Sequence, residues 1–152
     1  MRLERLPAAM ASRLAELECP EFATSPWVSG KPLNQRRVAI VSSAGLVVRG
    51  DRVFRGRDAE YREIPATVHP TDLLCSHISI NFDRTGFQED WNVVFPLDRL
   101  KEMAAQRSIG SVAARHYSFM GATDPVHMVD GAAEVAAKLK ADKVDAVLLT
   151  SV

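Results

Sequence analysis

The sequence predicts an α/β domain built on a parallel sheet with helices on its faces. Three observations carry this. Val38-Ala39-Ile40-Val41 is a short apolar run closed by Ser42-Ser43-Ala44-Gly45, the pattern of a central parallel strand entering a small-residue turn. Ala146-Val147-Leu148-Leu149 is a second such run without polar alternation. Between them, two stretches repeat apolar residues at helical spacing, so strands and helices alternate along the chain.

The elements follow in order. Leu3, Leu6, Met10, Leu14 and Leu17 predict a helix over 3–17, with Pro7 in its first turn and Cys19-Pro20 at its end. Residues 20–36 hold Pro20, Pro26, Gly30 and Pro32 and read as an extended arm, pinned to the body by Trp27. After the 38–41 strand, Leu46-Val47-Val48 continues briefly, and Gly50, Asp51, Gly56 and Asp58 mark a loop. Tyr61-Arg62-Glu63-Ile64 alternates like an edge strand ended by Pro65, and Asp72–Ile80 reads as a further strand. Residues 81–92 form a polar loop. Pro96 opens a helix with Leu97, Leu100, Met103 and Ala104 on one face. Ile109–Ala114 is a short strand and Ser118–Asp124 a turn in which Gly121 allows the bend. Asp124-Pro125 is an N-cap and first helical position, followed by a stripe of Val126, Val129, Ala132, Ala133, Ala136 and Leu139. Val144–Val152 is the last strand.

This order describes a three-layer, Rossmann- or flavodoxin-like domain over 37–152, preceded by a helix and arm over 1–36. A last strand with two apolar faces calls for a further helix, so the domain reads as incomplete at its carboxyl end. The alternative is an edge strand covered by the amino-terminal helix or a partner.

The bulk numbers narrow the function. Lys+Arg and Asp+Glu are both 19, a formal net charge of zero. Nucleic acid or an anionic membrane would require a basic excess, so neither is the expected partner. Near-zero charge favours self-association or a partner subunit. Cys19 and Cys75 form no CxxC pattern and read as reduced thiols. No apolar run approaches the roughly 20 residues of a membrane span, and the amphipathic amino terminus is no signal peptide. The protein reads as cytoplasmic.

From residue 37 onward the chain resembles a known family. VAIVSSAGLVVRGDRVF (38–54), YREIP (61–65), SHISINFD (76–83), DWNVVFPLDRL (90–100), IGSVAARHYSFMG (109–121) and KVDAVLLTSV (143–152) carry the likeness. They resemble the selenoprotein B subunits of glycine, betaine and sarcosine reductases and the related D-proline reductase. The resemblance implies reductive cleavage of the C–N bond at the α-carbon of an amino acid or N-methylated relative. It also implies a selenocysteine or cysteine within a couple of residues of the VDAVLLT strand, with a further cysteine close behind. That places the catalytic group beyond Val152, with an in-frame UGA as the following codon. The resemblance further implies a pyruvoyl group on a partner subunit that makes the substrate nitrogen a leaving group. By the same resemblance, the selenium is expected to form a selenenyl sulfide with the neighbouring cysteine, which dithiols reduce by exchange. No metal or nucleotide is implied.

The residues present are read as pocket wall. His77, in an apolar stretch, is a carboxylate donor or proton shuttle. Asp83, Asp90 and Asn92 lie in the polar loop, as pocket groups or caps. Arg115 and His116 follow the 109–114 strand, where ligands of open parallel sheets bind, and an arginine grips a carboxylate bidentately. Ser42, Ser43 and Gly45 follow the first strand and can donate to an anion. Cys75 is not at the matching position for a nucleophile. His69 and His127 read as surface residues, and no His, Cys and carboxylate set has metal-ligand spacing. Two other readings stay open: a non-catalytic module binding an amino acid or partner subunit, and a racemase-like enzyme with His77 and His116 as acid and base.

Overall fold

The structure, a computed structural model, describes residues 3–16, 23, 25, 27–56, 58–80 and 82–152. In chain order it holds helix α1 (Ala8–Ala15) and strands β1 (Arg37–Ser42), β2 (Leu46–Val48), β3 (Arg62–Pro65) and β4 (Leu73–Cys75). Helices α2 (Thr85–Glu89) and α3 (Leu97–Ala105) follow, then strands β5 (Ser111–Val112) and β6 (Arg115–Ser118), helix α4 (Val129–Ala141) and strand β7 (Ala146–Thr150). Short 3-10 turns include Trp91–Val93 and Pro125–Met128.

β1 is the spine of the main sheet. It pairs in parallel with β7 on one side and with β5 and β6 on the other. β3 lies antiparallel outside β6, and β2 and β4 form a separate two-stranded antiparallel ribbon. Alternate residues of β1 face opposite sides. Val38 and Ile40 pack with Leu97 and Leu100 of α3. Ala39 packs with Tyr117 and with Val135 and Leu139 of α4. The result is the expected α/β arrangement of helix, mostly parallel sheet and helix.

β5 and β6 are one strand interrupted by a bulge. Val38 faces Val112 and Val41 faces Tyr117, so three steps along β1 span five along its neighbour. The displaced backbone is stitched from outside: Ala114 N–H donates to Asp142 Oδ2 at 2.9 Å, and Ala66 N–H donates to the Ala114 carbonyl at 3.0 Å. Arg37 holds the other Asp142 oxygen at 2.7 Å.

Several expectations need correction. Trp27 is 86% exposed and belongs to none of the core clusters, so it does not pin the arm. The first helix starts at Ala8, because the Pro7 carbonyl accepts the first helical N–H groups; Leu17, Cys19, Pro20 and Pro26 lie outside the described residues. Of Asp72–Ile80, only Leu73–Cys75 is strand, its length set by the three residues of β2 it pairs with. The polar stretch 81–92 contains α2 and the Trp91–Val93 turn, since Asp83 and Asp90 each accept the backbone N–H two residues on. The Asp124-Pro125 cap is as expected, with Asp124 accepting the Val126 N–H at 3.0 Å. The buried stripe of α4 is shifted, however: Val135 and Leu139 are buried while Val126 and Val129 are exposed. Alanine-rich helices leave the phase of the stripe underdetermined, because alanine suits either face. β7 is not covered on both faces. Val147, Leu148 and Leu149 are exposed, and only Ala146 joins the α3-side core.

Candidate functional site at the carboxyl ends of the parallel strands

The carboxyl ends of β1, β6 and β7 meet in one knot of backbone. Ser43 N–H donates to the Thr150 carbonyl at 2.9 Å, and the Ser43 carbonyl accepts the Gly121 N–H at 2.9 Å. Ser43 Oγ accepts the Val152 N–H at 3.0 Å. A Cβ on Gly121 would lie 2.8 Å from the Ser43 carbonyl oxygen, so glycine is required for the approach. Ser42 is buried. Its hydroxyl donates to the Val94 carbonyl at 3.0 Å and accepts the Ala44 N–H at 3.2 Å. Thr150 donates to the same Val94 carbonyl at 2.9 Å.

The Val94 carbonyl is delivered there by the polar loop. Asp90 Oδ1 accepts both the Asn92 backbone N–H and its side-chain amide at 2.9 Å. Asn92 Oδ1 in turn accepts the Asp98 N–H at 3.0 Å, and Trp91 Nε1 donates to Asp98 at 3.0 Å. This network ties the Trp91–Val93 turn to the first turn of α3. The hydrogen bonds from Asn92 hold the Asp90 carboxyl below its usual range, and those from Thr85 do the same for Asp83. Asp83, Asp90 and Asn92 therefore act here as caps that set the loop.

His77 reaches this end through backbone contact. Gly45 has φ +62°, and a Cβ there would sit 3.0 Å from the His77 Cα. Ser76 N–H donates to the Gly45 carbonyl at 2.9 Å. The imidazole is 5% exposed and lies 4.8 Å from the Phe82 ring, centroid to centroid. Its Nδ1 accepts the Ser79 N–H at 3.2 Å, and its buried Nε2 has no partner among the described residues. Arg84 donates to the His77 carbonyl. Burial first, and the Arg84 charge second, push the His77 pKa down.

Arg115 and His116 stand elsewhere. They open β6, which continues β5 past the bulge, so they do not stand at the carboxyl end of the strand. Arg115 is exposed and paired with Glu63 at 3.2 Å, toward the amino ends of the strands. His116 is fully buried under Phe95, with ring centroids 5.5 Å apart. Its Nδ1 accepts the Ile40 N–H at 2.9 Å, replacing an acceptor that the bulge removes from β1. Burial first, and the Lys101 charge next, push its pKa down to about 4.

The structure thus gathers Ser42, Ser43 and His77 around one turn, places Asp90 and Asn92 behind it, and separates Arg115 and His116 from it. Three contributors escaped sequence reading: Thr150, Arg84 and the Val94 carbonyl. Thr150 ends an apolar strand and was legible as a polar group at the strand tip; the other two carry no sequence signal. Cys75 is half-buried with its thiol 3.5 Å from the Ala44 carbonyl, so it is engaged as a donor. Among the described residues, no group of three or more His, Cys, Asp and Glu is placed to hold a metal ion. Among them also, no helix is long and apolar enough to cross a membrane. An open cleft of about 730 Å³ lies away from this knot, between β3 and the first turns of α4. Its walls include Glu60, Glu63, Asp130 and Glu134, and it contains none of the expected site residues.

Comparison with known proteins agrees with the motifs. The family model described as glycine/sarcosine/betaine reductase selenoprotein B matches residues 11–152. The chain is 32% identical over 124 residues to the D-proline reductase subunit gamma of Acetoanaerobium sticklandii, covering 80% of this chain and 50% of that protein. It is 30% identical over 142 residues to the glycine reductase complex component B subunit gamma of Carboxydothermus hydrogenoformans, covering 90% of this chain and 33% of that one. A betaine reductase complex component B subunit beta from Peptoclostridium acidaminophilum is 28% identical over 126 residues, 80% of this chain and 29% of that protein. The chain therefore spans half or less of the length of these relatives. No solved structure matches it. The chain belongs to the glycine/sarcosine/betaine reductase selenoprotein B family.

Proposed function

We propose that the chain is part of a cytoplasmic, selenium- or thiol-dependent reductase subunit that cleaves the α-carbon C–N bond of an amino acid of the D-proline, glycine, betaine or sarcosine type. The family match over residues 11–152 carries this reading. The reaction consumes two electrons from a dithiol. The α-carbon loses its bond to nitrogen and gains hydrogen, and the dithiol becomes a disulfide. The reacting selenol or thiol belongs just beyond the carboxyl end of β7. Residues 1–152 contain only Cys19 and Cys75 as thiols, and Cys75 is engaged with Ala44. A pyruvoyl group on a partner subunit supplies the electron sink that makes the nitrogen leave.

In this reading residues 37–152 form the reductase domain, and residues 1–36 its leading helix and arm. Ser42, Ser43 and His77 shape the floor on which the substrate carboxylate and the reacting atom meet, at the strand ends where open parallel sheets bind ligands. Asp83, Asp90 and Asn92 hold that floor in place from the loop. Arg115 and His116 support the sheet from behind. Two observations test the proposal. In the complete subunit, alkylation after reduction is expected to modify a selenocysteine or cysteine within a few residues of the carboxyl end of β7; a subunit with neither residue there would sink that placement. The subunit isolated from its source is expected to copurify with a pyruvoyl-bearing chain, and isolation without one would sink the partner assignment.

A further inference from the structure

We infer that His77 serves its site as a neutral hydrogen-bond donor, through Nε2–H, to a carboxylate oxygen of the bound amino acid, and not as an acid or base. This rests on the substrate-binding reading above and gives its central residue a chemical role. The evidence is geometric. Nδ1 faces the Ser79 N–H at 3.2 Å. An N–H pointing at Nδ1 requires a lone pair there, so the single proton of the neutral ring sits on Nε2. Protonating Nδ1 would set two donors against each other. The charged group known to act on the ring is Arg84, whose guanidinium also grips the His77 carbonyl. It opposes an imidazolium and favours an anionic ligand.

Among the described residues, the buried Nε2–H has no acceptor. Buried donors are nearly always paired, so an orphan on a side chain only 5% exposed marks a place where an acceptor is brought by something else. The ring is also held in place. Gly45 admits the His77 backbone to the end of β1, and Phe82 packs on the imidazole. His116 shares the arrangement, with Nδ1 on the Ile40 N–H and a buried Nε2 without a partner, but it lies fully buried in the sheet core. Neither ring offers a free basic nitrogen, which argues against the pair as a racemase acid and base.

Two experiments test this. In ¹⁵N–¹H spectra of the complete subunit at pH 8, His77 is expected to show the Nε2–H tautomer, and its Nε2–H resonance is expected to shift saturably with one of D-proline, glycine, betaine or sarcosine. An Nδ1–H tautomer, or no shift with any of the four, overturns the inference. In the complete subunit assembled with its partner and a dithiol, His77→Leu is expected to raise KM roughly tenfold with kcat nearly unchanged, while His77→Gln, which retains a side-chain N–H, recovers most of the loss. A loss carried by kcat and shared equally by His77→Gln overturns it. An inactive assembly in which the Nε2–H shift persists overturns the reductase reading and supports the donor assignment.

Discussion

Replacing His116 by phenylalanine separates its role as a backbone acceptor from that of any binding group. In the native chain Nδ1 accepts the Ile40 N–H at 2.9 Å, and the side chain is fully buried. Removing it leaves a buried N–H unpaired, which costs about 1–3 kcal/mol at neutral pH. The native chain carries a second signature. His116 titrates at about 4 when folded against a reference of 6.5. Its depressed value means the unfolded chain takes up a proton first as pH falls. Stability is therefore full above the unfolded value and is lost between pH 6.5 and pH 4. Between pH 7 and pH 5 this amounts to about 2 kcal/mol. Asp83, Asp90 and Asp142 are held below their ordinary values and stay ionised across that window, so they do not contribute to it. His77 is shifted in the same direction and leaves a remainder in both proteins. Denaturant unfolding at pH 7 and pH 5 measures the effect. His116→Phe is expected to be less stable at pH 7 and to lose most of the pH dependence. A variant that keeps the full pH dependence would refute the account of His116 as a neutral strand acceptor.

Two further outcomes follow from the strand-end knot. Gly121→Ala places a Cβ 2.8 Å from the Ser43 carbonyl and is expected to destabilise the chain by roughly 1–3 kcal/mol, read as a fall in Tm; an unchanged Tm contradicts the close approach. Ser42→Ala and Thr150→Val each leave the other hydroxyl on the Val94 carbonyl, whereas the double variant leaves none. The double change is expected to exceed the sum of the single ones by about 0.5–1.5 kcal/mol in a double-mutant cycle, and strict additivity would dissolve the shared acceptor.

Much of the architecture was legible because apolar runs with strong period specify it. β1, α3 and β7 stand where Val38–Val41, Leu97–Ala104 and Ala146–Leu149 put them. The Asp124 cap was readable because an Asx side chain before proline has one favoured local geometry. What escaped was set by tertiary pairing. The bulge between β5 and β6 depends on Asp142 and His116 meeting displaced backbone groups, and nothing local in IGSVAARHYS announces it. That missed bulge is why Arg115 and His116 were expected at the end of a strand and are found at the start of one. Asp83, Asp90 and Asn92 were recognisable as polar and loop-borne. Their engagement by backbone N–H groups two residues on, and by Asp98, emerges only with the turn formed. Ser42 and Ser43 were placed correctly at the end of β1, though one hydroxyl is spent on Val94 and the other on Val152.

The family places this chain among reductase subunits, and turnover tests that most directly. The complete subunit, assembled with its partner and supplied with dithiothreitol, is incubated in turn with D-proline, glycine, betaine and sarcosine, and substrate and thiol are both quantified. The account expects one of the four to be consumed with one dithiol oxidised per C–N bond cleaved. Consumption of none, or interconversion of enantiomers without thiol oxidation, would contradict it.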